Sequence, residues 1–342
     1  MKKAFFAGCL AAALLLGLAP LLLQSASAEL ADSTAVSAPE ALDGLPETEP
    51  ATEAAGLWDA AQTVTVRMDG ALETMTMADY LEGVVLGEMP ASFPLAALEA
   101  QAVAARTFTL RRRLAPKHDD ADVCADGSCC QQYLTAEEAQ ARLGNDWEAA
   151  AAQVRAAVEA TDGLVLVYDG ALIDAVYFSC SGGRTEDAAA VWGGEVPYLQ
   201  SVESPGEETA APYQDTVSVP LETFRSAILE QAPTADLSEN PAAWFGGVTY
   251  TEGGGVATMR IGGESFTGTE LRTMFGLRSA QFAVAVEADA IVFETRGYGH
   301  RVGMSQYGAK AMAEAGADFR EILTHYYTGV ELVPAAALTA QP

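Results

Sequence analysis

WEAAAAQVRAAVEATDGLVLVYDGALIDAVY, residues 147–177, is the stretch whose reading decides the fold. Its first part, Trp147 to Ala160, predicts a helix that stops before Gly163, a residue type suited to the left-handed backbone just past a helix end. Two apolar runs follow, Leu164 to Tyr168 and Ala171 to Tyr177, with Asp169-Gly170 between them. That dipeptide is the strongest short-range signal for a two-residue hairpin turn. Helix and antiparallel hairpin therefore alternate within thirty-one residues.

The same alternation runs outward in both directions. Val64, Val66 and Met68 alternate with polar residues and predict a strand. Thr76 with Asp79 three residues later opens a helix over Met77 to Gly87, and Met89-Pro90 ends it, because the residue before proline is pushed out of the helical region. A second helix is expected over Leu95 to Arg113, apolar almost all round from Ala96 to Phe108 and so destined for burial. Further hairpins are expected between Val248–Thr251 and Val256–Ile261, and between Phe282–Val286 and Ile291–Thr295. Interspersed helices and hairpins predict an α+β fold, expected as two lobes flanking a substrate cleft. The acidic, weakly periodic stretch 204–243 is expected to be an insertion with one helix around Leu221 to Gln231.

At the N-terminus, Lys2 and Lys3 precede an apolar run from Ala4 to Leu23 and then Ala26-Ser27-Ala28. Residues 1–28 are expected to be a cleaved signal peptide or a retained membrane anchor, since the run also has the length to span a bilayer. Either way the rest of the chain is exported. Residues 29–60 read as an acidic disordered linker, and 61–332 as the catalytic domain. A formal net charge of -28 argues against a nucleic-acid partner, which needs a basic surface.

Four stretches hold candidate chemistry. Glu88, at a helix end beside Pro90 among apolar residues, is a partly desolvated carboxyl whose pKa should rise, as a general acid near neutral pH requires. Glu99 and Arg106, seven residues apart on the next helix, either form a solvated face or line the same cleft. His118, Cys124, Cys129 and Cys130 offer a disulfide or three soft ligands for Zn²⁺, with regular spacing favouring His118, Cys124 and Cys130. Tyr177-Phe178-Ser179-Cys180-Ser181-Gly182-Gly183-Arg184-Thr185 follows a strand with small residues that permit close approach of a ligand. Gly297-Tyr298-Gly299-His300-Arg301-Val302-Gly303-Met304-Ser305-Gln306-Tyr307-Gly308 has the glycine, aromatic and amide density of a binding loop. A Cys180/His300 thiol hydrolase is a competing reading.

Together these stretches resemble the stage II sporulation protein D family, which includes amidase enhancers. The similarity runs from about Val64 to Gly329. It rests on Tyr80-Leu81 with Gly83-Val84-Val85 and Glu88-Met89-Pro90, then Ala100-Gln101-Ala102-Val103-Ala104-Ala105-Arg106-Thr107. The third and fourth stretches above, Trp192 and Pro197-Tyr198-Leu199 complete the pattern. Membership implies a lytic transglycosylase acting on peptidoglycan strands stripped of stem peptides during engulfment, with Glu88 as the catalytic residue. It implies stage II sporulation proteins P and M as partners, and no cofactor for catalysis. It also implies a structural zinc on His118, Cys124 and Cys130. Gln101, Arg106, Tyr177, Ser179, Ser181, His300 and Gln306 are then the candidates for positioning glycan. Two positions depart from the family: Arg301 stands where glycine is common, and Glu99 where lysine often occurs.

Overall fold

The computed structural model describes residues 58–338. The export segment 1–28, and the linker 29–60 except its last three residues, lie outside the described residues. Those three belong to the fold and not to a linker, because Trp58–Ala61 is a helical turn pinned at both faces. The backbone N–H groups of Trp58 and Asp59 donate to the Asp162 carboxylate at 3.1 and 2.9 Å. The buried Asp59 carboxylate accepts from Arg106 Nε at 2.8 Å. Arg106 is itself fully buried and also donates to the carbonyls of Leu164 and Val158. This corrects the expectation that Arg106 faces glycan: its guanidinium ties the Trp58–Ala61 turn to the central helix.

The architecture is α+β, with helices among mostly antiparallel strands. The helix over Trp147–Ala160 and the hairpin of Leu164–Tyr168 with Ala171–Leu172 stand where the sequence put them. Asp169 and Gly170 both take positive φ, the primed turn that matches strand twist. The second strand is shorter than expected. Beyond Leu172 the chain bends at Asp174, whose carboxylate pairs with Arg111 and Arg112 and whose N–H donates to the Tyr198 hydroxyl. Tyr177–Phe178 then pairs in parallel with Met304–Ser305, which brings the third and fourth stretches side by side.

The Leu95–Leu114 helix is the axis of the larger core. From Ala97 to Phe108 nearly every side chain is buried, and alanine is the commonest of them. Small side chains let the helices Met77–Glu88, Trp147–Ala160, Gln306–Glu314 and Phe319–Tyr326 and the strand Leu164–Tyr168 all pack against it. Any longer residue on that face would overpack it, at about 1–3 kcal/mol. Arg111, Arg112 and Arg113 close its last turn, where cations meet the negative end of the helix dipole.

A second core gathers Phe224, Ile228, Trp244, Ile261, Phe266, Leu271, Phe282 and Phe293. Two three-stranded antiparallel sheets feed it. In one, Ala290–Arg296 runs between Phe282–Val286 and Gln214–Pro220; in the other, Val256–Ile261 runs between Phe245–Tyr250 and Glu264–Thr267. Both cores sit in one contact unit, so the division expected as two lobes is seen only as two cores.

The stretch 204–243 is therefore no appendage. Besides the Leu221–Gln231 helix it supplies the strand Gln214–Pro220, paired along the whole length of Ala290–Arg296. Only Val219 of that strand is buried, so no apolar face advertised it.

Arg301 joins the two halves. At φ 66° it stands in the left-handed region, where glycine is the cheaper residue. Its buried guanidinium pairs with Glu186 at 2.9 Å and donates to the carbonyls of Ser181, Arg184 and Gly253. Arg301 thus clamps the two binding-loop stretches to the Gly253–Gly255 turn and does not face the cleft as a substrate contact.

Candidate active site

Glu88 is the last residue of the Met77–Glu88 helix. The Thr76 hydroxyl caps the start by accepting the Asp79 N–H at 3.1 Å, and Met89 leaves the helix in an extended conformation ahead of Pro90. Gly83 and Gly87 lie four residues apart on one face, which accounts for their place in the motif. A Cβ on Gly83 would stand 2.2 Å from the Tyr133 ring, and one on Gly87 would stand 2.7 Å from the Gln132 carbonyl oxygen. Both positions let the segment Gln131–Tyr133 lie directly on the helix. Through that approach the Gln132 N–H reaches the Glu88 carboxyl at 2.6 Å.

The other carboxyl oxygen of Glu88 accepts from Gln306 Nε2 at 3.5 Å, and the same amide nitrogen donates to Gln101 Oε1 at 3.4 Å. Gln306 begins the Gln306–Glu314 helix, capped by the Ser305 hydroxyl, while Gln101 is buried in the central helix. Gln306 thus links the Glu88 carboxyl to the central helix. Burial raises the pKa of Glu88 and outweighs the opposing bond from the Gln132 amide. This carboxyl is held toward its neutral form.

A consequence for stability follows from the sign of that shift. The folded state binds a proton on Glu88 that the unfolded state has already lost, in the window from the ordinary carboxylate pKa up to the raised one. Stability contributed by this group is present below that window and is lost as pH rises through it. Glu88→Gln should therefore raise the thermal midpoint at pH 7 and leave it nearly unchanged near pH 4. Melting curves at the two pH values check this; equal midpoints at pH 7 would contradict it.

Glu88 lines two hollows. One, of 340 Å³, also contains Arg112, Lys117, Cys129, Cys130, Tyr177 and His300. The other, of 450 Å³, contains Met89, Pro90, Ser92, Arg142, Asp146 and Gln153. A larger hollow of 690 Å³, between Val191, Gln231, Thr267 and Met274, includes neither Glu88 nor His300, and we attach no chemistry to it. Tyr177 donates to Gln131 Oε1 at 2.9 Å. The His300 ring packs against the half-exposed Trp192, with centroids 5.3 Å apart. Burial, and then the charge of Arg272, lower the His300 pKa to about 4, so the ring is neutral near pH 7. Its Nδ1 accepts from the Val302 N–H at 3.1 Å, which leaves the proton on Nε2.

Other sequence candidates lie elsewhere. Ser181 is fully buried, and its hydroxyl and N–H both donate to Glu207, at 3.0 and 2.7 Å. It organises a loop and has no free face for glycan, which corrects its assignment. The buried Glu207 carboxylate also takes the Cys180 thiol, at 2.9 Å, and the Ser204 hydroxyl. Burial, then Glu207, push the Cys180 thiol pKa far up, so it is no nucleophile, and the thiol-hydrolase reading is set aside. Ser179 is half-buried, and its carbonyl accepts from the Tyr307 N–H at 3.0 Å. Glu99 is raised by partial burial and then by the charge of Asp318, and it lines neither hollow containing Glu88.

The cysteine loop gathers more ligands than the spacing picked out. His118 Nε2 and the sulfurs of Cys124, Cys129 and Cys130 all lie within 4.8 Å of one another. His118 Nε2 is 3.4 Å from Cys130 Sγ and 3.7 Å from Cys129 Sγ. A tetrahedral zinc with bonds of about 2.0–2.3 Å holds its ligand atoms just under 4 Å apart. The donor types suit such a site, and Cys129 offers a fourth donor atom beside the three that the spacing favoured. The loop also lies beside Glu88 despite its distance from that motif in sequence. Gln131 and Gln132, which no motif contained, follow Cys130 directly.

Comparison with known proteins places the chain among sporulation and cell-wall-related relatives. A family model described as "Stage II sporulation protein" matches residues 68–168, the span holding Glu88, Gln101 and the cysteine loop. The chain is similar to "Stage II sporulation protein D" of Bacillus subtilis (strain 168), 38% identical over 273 residues, covering 78% of this chain and 77% of the relative. It is 36% identical to the protein of the same name from Bacillus amyloliquefaciens over 265 residues, 76% and 75% of the two chains. A Bacillus subtilis "Amidase enhancer" is 32% identical over 300 residues, 74% of this chain and 40% of that protein.

Proposed function

This chain belongs to the stage II sporulation protein D family, and from that premise we propose that it is a lytic transglycosylase that cuts peptidoglycan strands stripped of stem peptides. One observation supports the reading: a half-buried carboxyl of raised pKa, Glu88, lines two hollows. Among the described residues, the one other carboxylate lining those hollows, Asp146, is exposed. Hydrolases of glycosides generally use two carboxylates across the bond. A single one suffices when the attacking hydroxyl belongs to the substrate. Glu88 protonates the oxygen leaving with N-acetylglucosamine. As carboxylate it then takes the proton of the C6 hydroxyl of the same N-acetylmuramic acid, which closes on C1 as a 1,6-anhydro ring. The nucleophile is already tethered, so proximity replaces an activated water. The Gln132 N–H and the Gln306 amide hold the carboxylate between the two steps. Mass spectrometry of products from denuded glycan tests this, and reducing ends without the anhydro sugar would defeat it.

The N-terminal segment exports the protein and, if uncleaved, anchors it. Stage II sporulation proteins P and M are the partners this role calls for. Similarity to an amidase enhancer supports a second reading, a non-catalytic wall protein that stimulates an amidase. That reading expects stimulation to survive Glu88→Gln.

We assign structural zinc to His118, Cys124, Cys129 and Cys130. The metal would supply a cross-link for the 118–130 loop and take no part in bond cleavage. Elemental analysis should find one zinc per chain, and none in a Cys124→Ser/Cys130→Ser variant. Chelation should lower the melting midpoint by roughly 5 °C or more, because binding free energy at such a site is folding free energy. An unchanged midpoint after complete removal of metal would refute the structural role.

A further inference from the structure

We propose that Gln131 is a positioning residue that turns Tyr177 into a hydrogen-bond acceptor for Glu88 and so keeps the acid protonated. The inference rests on Glu88 being the general acid. The chain of hydrogen bonds starts on the far side of the site, in the central helix. The Thr109 hydroxyl donates its single hydrogen to the Ala105 carbonyl at 2.8 Å. Toward any other neighbour that oxygen offers only lone pairs. The end of the Gln131 amide that faces it, at 3.0 Å, is therefore the NH₂ group, which also reaches the Tyr80 hydroxyl at 3.0 Å. The opposite end is the carbonyl oxygen, and it accepts from Tyr177 at 2.9 Å. Gln131 is fully buried, so its amide has no solvent to turn toward.

The hydrogen of Tyr177 is thus committed to Gln131. Tyr177 also interacts with Glu88, and both line the same hollow. A phenol that donated to Glu88 would pull its pKa down, the direction that follows from proximity alone. With the hydrogen directed to Gln131, the phenol instead presents lone pairs to the carboxyl. Those repel a carboxylate and accept the O–H of the neutral acid. Polarity runs one way, from Glu88 through Tyr177, Gln131 and Thr109 to a main-chain carbonyl that cannot reverse it. Burial and this chain of bonds then push the acid in the same direction.

Arg112, Lys117, Cys129, Cys130 and His300 also face Glu88 across the first hollow. Arg142 and Asp146 do so across the second, and the charge of Glu88 is felt at Tyr80. All of these stay in place in the variants that test the proposal, and each variant is compared at equal metal content. Gln131→Met keeps the length of the side chain and removes the amide, freeing the Tyr177 hydrogen for Glu88. In carbon-13 NMR titration of the Glu88 carboxyl, its pKa should fall by about one unit. The alkaline limb of the kcat profile should fall with it. Tyr177→Phe in the Gln131→Met background removes the new donor, so the titration should move back up. Thr109→Val, a near-isosteric change that unlocks the amide, should shift it in the same direction as Gln131→Met and carries the test if that variant fails to fold.

An unmoved Glu88 titration in the folded variants, or a shift that Tyr177→Phe does not reverse, would overturn the role of Gln131. Failure of the catalytic reading looks different. Glu88→Gln would then keep full activity, whereas the NMR shifts would stand.

Discussion

Glu88→Gln is expected to lower kcat on denuded glycan by roughly three orders of magnitude, within the range that a positioned acid/base contributes. The substitution keeps the shape of the side chain, and its amide oxygen can still accept the Gln132 N–H that now holds Oε1. What it loses is the proton. An amide neither protonates the departing oxygen nor later takes the proton of the C6 hydroxyl, so both halves of the reaction fail together. Binding should suffer less, because Tyr177, Gln306 and the walls of both hollows remain. The measurement is single-turnover release of anhydro-ended fragments, with strand binding followed separately. A variant within tenfold of the parent rate would sink the assignment. The same variant should be the more stable protein at neutral pH, so loss of activity from unfolding would be recognised at once.

Arg301→Met is expected to cost about 3–5 kcal/mol of stability, the usual penalty for breaking a buried ion pair from one side. Glu186 would keep its charge, with only the Thr251 hydroxyl and the Gly255 N–H to satisfy it, at 2.9 and 3.0 Å. Three main-chain carbonyls would lose their donors as well. Pairing the change with Glu186→Gln removes the stranded charge and should recover part of the loss, a coupling that a double-mutant cycle reads directly. Urea denaturation of the four proteins supplies the numbers. If Arg301→Met costs under 1 kcal/mol, or if the two changes simply add, the clamp is not what holds these loops. The departure from glycine at this position is thus a packing device of this chain, and the left-handed backbone is retained to aim the guanidinium inward.

Local patterns in the sequence carried the helices over Met77–Glu88, Leu95–Leu114 and Trp147–Ala160, because caps, alanine runs and the Asp169-Gly170 turn act within a few residues. Glu88 was legible for the same reason, as an acid at a helix end ahead of proline. What was not legible depends on long-range polar pairing. Asp59 finds Arg106 across 47 residues, and Glu207 gathers Cys180 and Ser181 from more than 25 residues away. Neither arrangement has a period or a spacing. Gln131 and Gln132 look like loop residues until the glycines at 83 and 87 bring that loop against the helix. The closeness of Cys129 to His118, Cys124 and Cys130 was not legible, because even spacing is a property of the string, whereas proximity depends on where a loop folds back.

Glu88 belongs to the walls of two separate hollows, and this bears on how wall polymer is consumed. An acid at the closed end of a pocket can only nibble at termini. Under the proposed function, one shared between two recesses would let a strand lie across it with sugars on both sides, so that cleavage would fall inside the chain. One internal cut already halves the mean length of a strand, whereas one cut at a terminus barely changes it, so a layer would loosen long before much of it had dissolved.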